Sequence, residues 1–373
     1  MPARNKRNRF RNLVKWAIFA TNVVAIILLF CSFLSWSVSP LKTNLFSYIG
    51  LGFGFILLVN IAYLVFWTIF SKWGLAVISL VSILACYQPI TAFFPLQVHS
   101  PKPPQDAIKI LTYNVQGFPA ERDVTATEHP ILDYIATTDA DIVCLQEYLV
   151  SKTGQSIFSQ RDVNRLLNKY PYRSITSLES SGKYHTFGLA CFSKHPIENT
   201  HEVVFESSYN GAAVYTINID GEKYTVANIH LESNQIKPED KKLYSDFLQN
   251  TDSVRFEHVA SNIRTRLGGA YRMRARQVEK VKEYIKTLDN RGTVICGDFN
   301  DTPISFTYHQ MKEGLMDAYV STGFGPGITY HEDLFLFRID YILHSENLKA
   351  YRTRVDKVKY SDHYPLRTWI QIN

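Results

Sequence analysis

Six short stretches of this 373-residue chain place a carboxylate, amide or imidazole in or beside an apolar, β-rich run. LTYNVQGF offers Asn114, DIVCLQEY offers Glu147, NIHLES offers His230, and CGDFNDTP offers Asp298 and Asn300. RIDYILHS offers Asp340, and YSDHYPL offers Asp362 and His363. One polar residue on a strand is ordinary, but a set of this kind suits one chemistry, the hydrolysis of a phosphate ester. A hard divalent cation such as Mg²⁺ takes oxygen ligands and keeps several waters, so one or two carboxylates suffice to hold it. Such an ion neutralises phosphate charge and stabilises the leaving oxygen. An imidazole held by a carboxylate activates water near neutral pH, and further donors hold the non-bridging oxygens as charge grows there. Zinc suits the set less well. The chain has no closely spaced His/Cys pairs of the zinc type, and Cys144, Cys191 and Cys296 sit inside strand-like runs as small buried hydrophobes. Glu232, Asp301 and Pro303 read as structural, the last two as shaping a turn.

These residues need strands to carry them. Short β-rich runs recur from Ile108 onward (IKILTYNV, DIVCLQE, GLACFSK, AAVYTINI, YTVANIHL, TVICGDF, RIDYILH, LRTWIQI). Helix-like spacing appears in HPILDYIATTDA and RDVNRLLNKY, and NIDGEK at Asn218–Lys223 fits a hairpin loop. Helices and hairpins mixed in this way predict sheets with helices outside, not an alternating doubly wound parallel sheet. The longest helical candidate runs from about Asp252 to Leu288, with a break expected at Gly268 and Gly269. Its many basic residues read as a solvated face, and alternatively as a contact for anionic lipid or a polyanionic substrate.

The first hundred residues are of another kind. They hold eight basic residues and no acid, so the net charge of +6 divides into +8 there and −2 beyond. A basic footprint for nucleic acid spread over the later domain is therefore not supported. Three apolar runs, Trp16–Trp36, Leu45–Phe70 and Trp73–Phe94, each reach the ~20 residues a helix needs to cross a bilayer. Residues 1–96 thus read as a membrane anchor with three transmembrane helices, 97–107 as a proline-rich linker and 108–373 as the catalytic domain. Six basic residues precede the first run, which predicts a cytoplasmic N-terminus and a periplasmic or extracellular catalytic domain.

The ordered set YNVQ, LQE, HLES, GDFNDTP, RIDYIL and SDHYPL resembles the endonuclease/exonuclease/phosphatase superfamily, which includes DNase I, inositol-polyphosphate 5-phosphatases and neutral sphingomyelinases. The resemblance spans residues 108–373. It implies a DNase I-like four-layer α/β sandwich, two packed β-sheets flanked by helices, with the site at one edge. It also implies roles: Glu147 as main metal ligand, with Asn114 and Asp362 beside it. His230 would donate to a phosphate oxygen, and Asp298 and Asn300 would orient water and phosphate. Asp340 would support the imidazole of His363, which is favoured as the general base. The implied cofactor is Mg²⁺, with Mn²⁺ a substitute. A phosphate-contacting Tyr184 or His185 is a weaker expectation. The substrate is a phosphoester, a lipid headgroup or a nucleic acid among the possibilities, and no protein partner is implied. The competing readings are an extracellular nuclease on single strands and a catalytically inactive membrane scaffold.

Overall fold

The computed structural model describes residues 2–119, 129–152, 158–179, 181–234, 253–332 and 336–372, with the side chains of 2–11 and 253–260 left aside. The chain divides into two compact units, Met1–Phe93 with Ile304–Phe306, and Phe94–Pro303 with Thr307–Asn373.

In the first unit, a helix Pro2–Phe33 runs on through a 3₁₀ turn, Leu34–Trp36. Its segment Asn12–Trp36 is, among the described residues, the one unbroken helix long and apolar enough to cross a membrane. The second and third apolar runs, expected as single spans, are each broken. Leu45–Leu51 and Phe53–Ile69 meet at 66°, and Trp73–Ala85 and Tyr87–Phe93 at 64°. The physical causes are local. Gly50, Gly52 and Gly54 weaken the helix at the first bend. At the second, Pro89 has no N–H to offer and its ring crowds the carbonyl of Ala85. Polar side chains join the helices: the Trp67 indole donates to Asn22 Oδ1 at 3.0 Å, and Asn60 Nδ2 donates to the Ala25 carbonyl at 3.0 Å.

The second unit contains two six-stranded sheets. The strands are β1 Ile108–Asn114, β2 Ile142–Ser151, β3 Tyr172–Ser177, β4 His185–Ser193, β5 Ile197–Val204 and β6 Gly211–Ile219. They continue with β7 Glu222–His230, β8 Gly292–Asp298, β9 Leu315–Asp317, β10 Asp340–Ser345, β11 Lys349–Val355 and β12 Leu366–Gln371. One sheet has the order β11-β12-β1-β2-β4-β3 and the other β5-β6-β7-β8-β10-β9. Only β1 with β2 and β7 with β8 are parallel, so both sheets are mixed, as the run of hairpins implies. Between β6 and β7, Asp220 and Gly221 both take positive φ, the two-residue hairpin expected from NIDGEK.

Period-two alternation sets the layers. On β1, Ile108 and Ile110 face a core that Cys144, Cys191, Tyr215, Val226, Cys296 and Ile342 complete from both sheets. Leu111 and Tyr113 face the other way, onto Ile131, Leu132 and Ile135 of the helix Pro130–Thr138 and Val163 of the helix Gln160–Leu166. The long helix Ser253–Lys286 is continuous through Gly268 and Gly269, contrary to the expected break. Gly268 is buried and nothing lies within 4 Å of a Cβ placed on Gly269, so the two cost propensity without disturbing packing. Asp252, where that helix was expected to start, lies outside the described residues. Several of its basic residues are solvated, as read from sequence, but Arg274 is fully buried.

Candidate active site

Register alone puts three of the expected residues in a row. His230, the last residue of β7, is the cross-strand partner of Asp298, the last of β8, and Asp298 is the partner of Asp340, the first of β10. The glycine of GDFN makes this row possible. Gly297 has φ +135°, and a Cβ there would sit 2.0 Å from the Ile229 carbonyl oxygen. No side chain fits so close to the neighbouring strand.

The other sheet presents its residues differently. Asn114 ends β1, but Glu147 lies at a bulge, where the β2–β4 register shifts between Leu145 and Tyr148. Glu147 has φ +51°, a left-handed conformation that a non-glycine residue adopts only when its surroundings impose it. The imposing group comes from the opposite sheet. Asn228 Nδ2 donates to the carbonyls of Leu145 (3.0 Å) and Ala190 (3.1 Å), two residues that face each other across the last regular pair before the bulge. Its Oδ1 accepts from Gln146 Nε2 at 2.6 Å, and Gln146 also reaches Thr112 Oγ1 at 3.0 Å. All three side chains are fully buried. This amide plug satisfies buried carbonyls and turns Glu147 outward.

The two sets meet. Asn114 Nδ2 donates to Glu147 Oε1 at 3.0 Å and to Asp298 Oδ2 at 3.1 Å, bridging the sheets. Asp298 Oδ1 accepts from the Asn300 backbone N–H at 2.8 Å, and its Oδ2 from Asn300 Nδ2 at 3.2 Å. Asn300, at φ +53°, ties itself down by donating to the Leu231 carbonyl at 2.9 Å. His230 Nδ1 faces the Tyr209 carbonyl at 3.2 Å, so that nitrogen carries the proton in the neutral ring. Its Nε2 faces Glu147 Oε1 at 3.5 Å and Asp298 Oδ2 at 3.8 Å. His363 Nδ1 binds Asp340 Oδ2 at 2.8 Å, and its Nε2 lies 3.7 Å from Asp298 Oδ2. Asp362 is held at the rim: its N–H donates to Gln116 Oε1 at 3.3 Å and Ser361 Oγ donates to its carboxylate at 3.2 Å.

Burial opposes charge on the His363 ring, but Asp340 and Asp298 outweigh it and push the imidazole up to about 10. Burial pushes the Asp298 carboxyl up to about 6, with Asp340 adding to the rise and His363 and His230 opposing it. Asp362 is also raised, by burial first, with the Glu147 carboxylate contributing.

Two groups of donors stand out as places for a cation. Asp298, Asp340 and His363 offer atoms within 4.8 Å of one another. However, His363 Nδ1 is spent on Asp340, and Asp298 is ringed by the amides of Asn114 and Asn300, so this group is better satisfied as a proton-holding cluster. Glu147 and Asp362 fit a hard cation better. They are all-oxygen donors on the more open side, and the Glu147 carboxylate adds to the rise that burial causes in Asp362, a repulsion that a divalent charge relieves. Asn114 Oδ1, which accepts the Gln116 N–H at 3.1 Å, keeps a lone pair for the same ion.

All eight expected residues therefore converge. Tyr184 and His185 do not join them: Tyr184 is exposed, and His185 pairs with Ser151, four positions past Glu147. Asp301 is structural, as expected. Its Oδ2 accepts from Arg274 Nε at 3.1 Å and from Thr307 Oγ1 at 2.8 Å, which stiffens the turn that carries Asn300. Glu232 is buried and accepts from Asn210 at 2.9 Å. Sequence reasoning missed Asn228, Arg274 and Tyr330. Tyr330 pairs with His363 in a β-bridge and sets its ring edge-on to the imidazole, centroids 5.2 Å apart. An amide inside the otherwise apolar run YTVANIHL was the available signal for Asn228.

The comparisons with known proteins agree with this architecture. Among solved structures, an endonuclease/exonuclease/phosphatase from Beutenbergia cavernae DSM 12333 superposes with a TM-score of 0.51 at 16% identity, over 72% of this chain and 72% of that one. An endonuclease/exonuclease/phosphatase family protein from Leptotrichia buccalis C-1013-b gives 0.50 at 19%, over 71% and 100%. The human Nocturnin catalytic domain with bound sulfate anion gives 0.50 at 17%, over 74% and 96%. At these identities the likeness is one of fold. No curated protein sequence matches the chain. Residues 15–93 match the model of a domain of unknown function (DUF8431). Residues 111–363 match the model of the endonuclease/exonuclease/phosphatase family, to which this chain belongs.

Proposed function

We propose that this hydrolase is a membrane-anchored, Mg²⁺-dependent phosphoesterase that cleaves a phosphodiester or phosphomonoester by direct attack of water on phosphorus. The observation that carries the reading is the meeting of Asn114, Glu147, His230, Asp298, Asn300, Asp340, Asp362 and His363 at one edge of two sheets. Glu147 and Asp362, with Asn114 between Glu147 and Asp298, would hold the divalent ion, which supplies charge neutralisation at the phosphate and the leaving oxygen.

The chain's own groups do the rest. His363, flanked by Asp340 and Asp298, is the cationic partner of the phosphate rather than the base favoured from sequence, because its Nδ1 is held by one carboxylate and its Nε2 faces another. Asp298 accepts the proton of the attacking water, held in place by the amides of Asn114 and Asn300. Asn300 Nδ2, bound to Asp298 Oδ2, fixes the carboxylate that orients the water, and His230 Nε2 lies beside it and donates to a non-bridging oxygen in the doubly protonated ring. The apolar helix Asn12–Trp36 supports anchoring, with the two bent helix pairs as broken second and third spans, and the basic residues before the first span support a cytoplasmic N-terminus.

The test is turnover of bis-p-nitrophenyl phosphate by the full chain in detergent, with Mg²⁺, with Mn²⁺ and with a chelator. Metal-dependent turnover that is abolished in His363→Ala and Asp298→Ala is expected. Turnover insensitive to chelation, or surviving both substitutions, overturns the assignment.

A further inference from the structure

A second concavity lies on the reverse side of the strip that carries His363. Along the bridged segments, Tyr330 and His363 point into the active site, while the next residue of each, His331 and Tyr364, stack on one another with ring centroids 4.0 Å apart. Successive side chains of extended backbone alternate sides, and His331 and Tyr364 accordingly line a separate cavity of about 730 Å³. None of the catalytic side chains lines it.

Its chemistry is one-sided. Arg352, Arg354 and Lys357 line it, and no carboxylate does among the described residues. None of these three cations forms an ion pair with a described residue, and Asp356, which lies between them in sequence, is taken by Arg367. The arginines are aimed by a second bulge. Between Tyr351 and Arg354 the β11–β12 register shifts, Arg352 has φ +47°, and its N–H donates to Ser100 Oγ at 2.8 Å.

The rim is apolar and exposed among the described residues. Residues 95–97 lie as a strap on the loop 323–325, with Gln97 N–H donating to the Gly323 carbonyl at 3.0 Å and Gly325 N–H to that of Pro95 at 2.9 Å. Along this strap and its neighbours Leu96 is 60% exposed, Val98 71%, Phe324 59% and Leu336 56%. An apolar rim above cations that form no ion pair among the described residues fits an amphiphile with an anionic head. It suits a polynucleotide less, because bases stack on free aromatic faces and the rings here are engaged: Phe324 packs edge-on against Phe94, His331 and Tyr364 stack on each other, and Arg338 covers Tyr319. The strap also follows in sequence directly on the apolar helix Tyr87–Phe93.

We propose that this groove is an accessory site for one anionic phospholipid, its phosphate among Arg352, Arg354 and Lys357 and its glycerol and acyl portion along the aliphatic rim. The proposal rests on the membrane-anchored reading and is independent of the catalytic one. The test uses the full chain in maltoside detergent and native mass spectrometry with dioleoylphosphatidylglycerol or dioleoylphosphatidylcholine. The variant is Arg352→Asn, Arg354→Ala and Lys357→Ala together, with asparagine chosen because it tolerates positive φ. The parent is expected to retain phosphatidylglycerol over phosphatidylcholine, and the variant to bind phosphatidylglycerol roughly tenfold more weakly, as expected for removing several cations from an anionic headgroup. An unchanged thermal midpoint shows that the variant is folded, and Arg354→Lys alone should keep the affinity. Equal phosphatidylglycerol binding by parent and variant overturns the proposal. So does a variant that loses affinity for a thymidine oligonucleotide and not for lipid, which makes the occupant a polynucleotide. Absence of metal-dependent turnover in the parent would instead remove the catalytic reading and leave the lipid result standing.

Discussion

The two sheets bring their residues to the same edge by different means. The sheet of β7, β8 and β10 delivers His230, Asp298 and Asp340 through unbroken register, nearly fully buried, at the price of a glycine that no other residue replaces. The sheet of β1 and β2 delivers Glu147 through a break in register, in a strained conformation, on the more open side. Regular pairing suits groups that must hold and pass a proton in a dry, fixed arrangement. A bulge suits a ligand that must lean out toward an ion and its waters. On the proposed reading, the difference divides the site by task as well as by sheet.

Substitutions in the two sheets should therefore fail differently. Asp298→Asn is expected to give the largest effect, a loss of about 10³-fold or more in turnover, the scale of general-base catalysis, with an unchanged Mg²⁺ requirement. Glu147→Gln should lower turnover less at saturating metal and raise by at least roughly 10- to 100-fold, the scale for losing even a partner of a metal ligand, the Mg²⁺ concentration needed for half-maximal rate, so that excess metal restores part of the activity. Metal titrations of kcat for both variants check this. If both curves shift alike, the division of labour is wrong.

The plug between the sheets offers a sharper cut. Asn228→Leu removes the donor to the Leu145 and Ala190 carbonyls and takes from Gln146 its shortest hydrogen bond, leaving it Thr112 Oγ1 and the Cys144 carbonyl. Each buried polar group so orphaned costs about 1–3 kcal/mol, so the variant should unfold at clearly lower denaturant concentration. Because the plug sets the bulge, its residual activity should resemble that of Glu147→Gln, with a raised metal requirement. A variant that is merely destabilised, with normal metal dependence, would separate the plug from the bulge.

How much of this was legible in the sequence follows the same line. The row on β7, β8 and β10 could be read because alternation and short motifs place a residue at the end of a regular strand, and His230, Asp298 and Asp340 are found there. Sheets with helices outside followed from the mixture of hairpins and helical stretches, and the four-layer arrangement from the family resemblance. Asn228 was not legible, because its role depends on carbonyls that a bulge 83 positions away leaves for it. Arg274 looked like one more charge on a solvated helix, and only tertiary packing turns it onto Asp301. The breaks at Gly52 and near Pro89 were visible as residues, but uniform apolarity hid their effect on the two later apolar runs. The groove behind His363 draws on residues near positions 97, 324, 331 and 354, a spacing that no local pattern connects.

The smallest expected effect concerns two buried carboxyls flanking β10. Asp317, whose residue pairs with Leu343, is buried, which alone would raise it, but Arg338 at 2.7 Å and the Tyr308 hydroxyl outweigh that and hold it below the usual carboxylate range. Arg338 is itself buried, two residues before Asp340, so this pair anchors the start of the catalytic row. A carboxyl depressed in the folded state adds stability that is fully present above its unfolded value, about 3.9, and is lost as pH falls through the depressed value. Asp298 is the contrasting case. Raised to about 6, it binds its proton more tightly folded than unfolded, so its contribution weakens as pH rises from about 4 to about 6. Thermal midpoints of chelated protein across pH 2–7 should thus show the acid-side loss flattened in Asp317→Asn and retained in Asp298→Asn. An Asp317→Asn profile as steep as the parent's would mean that this ion pair does not respond to acid in the way its burial and its bond to Arg338 require.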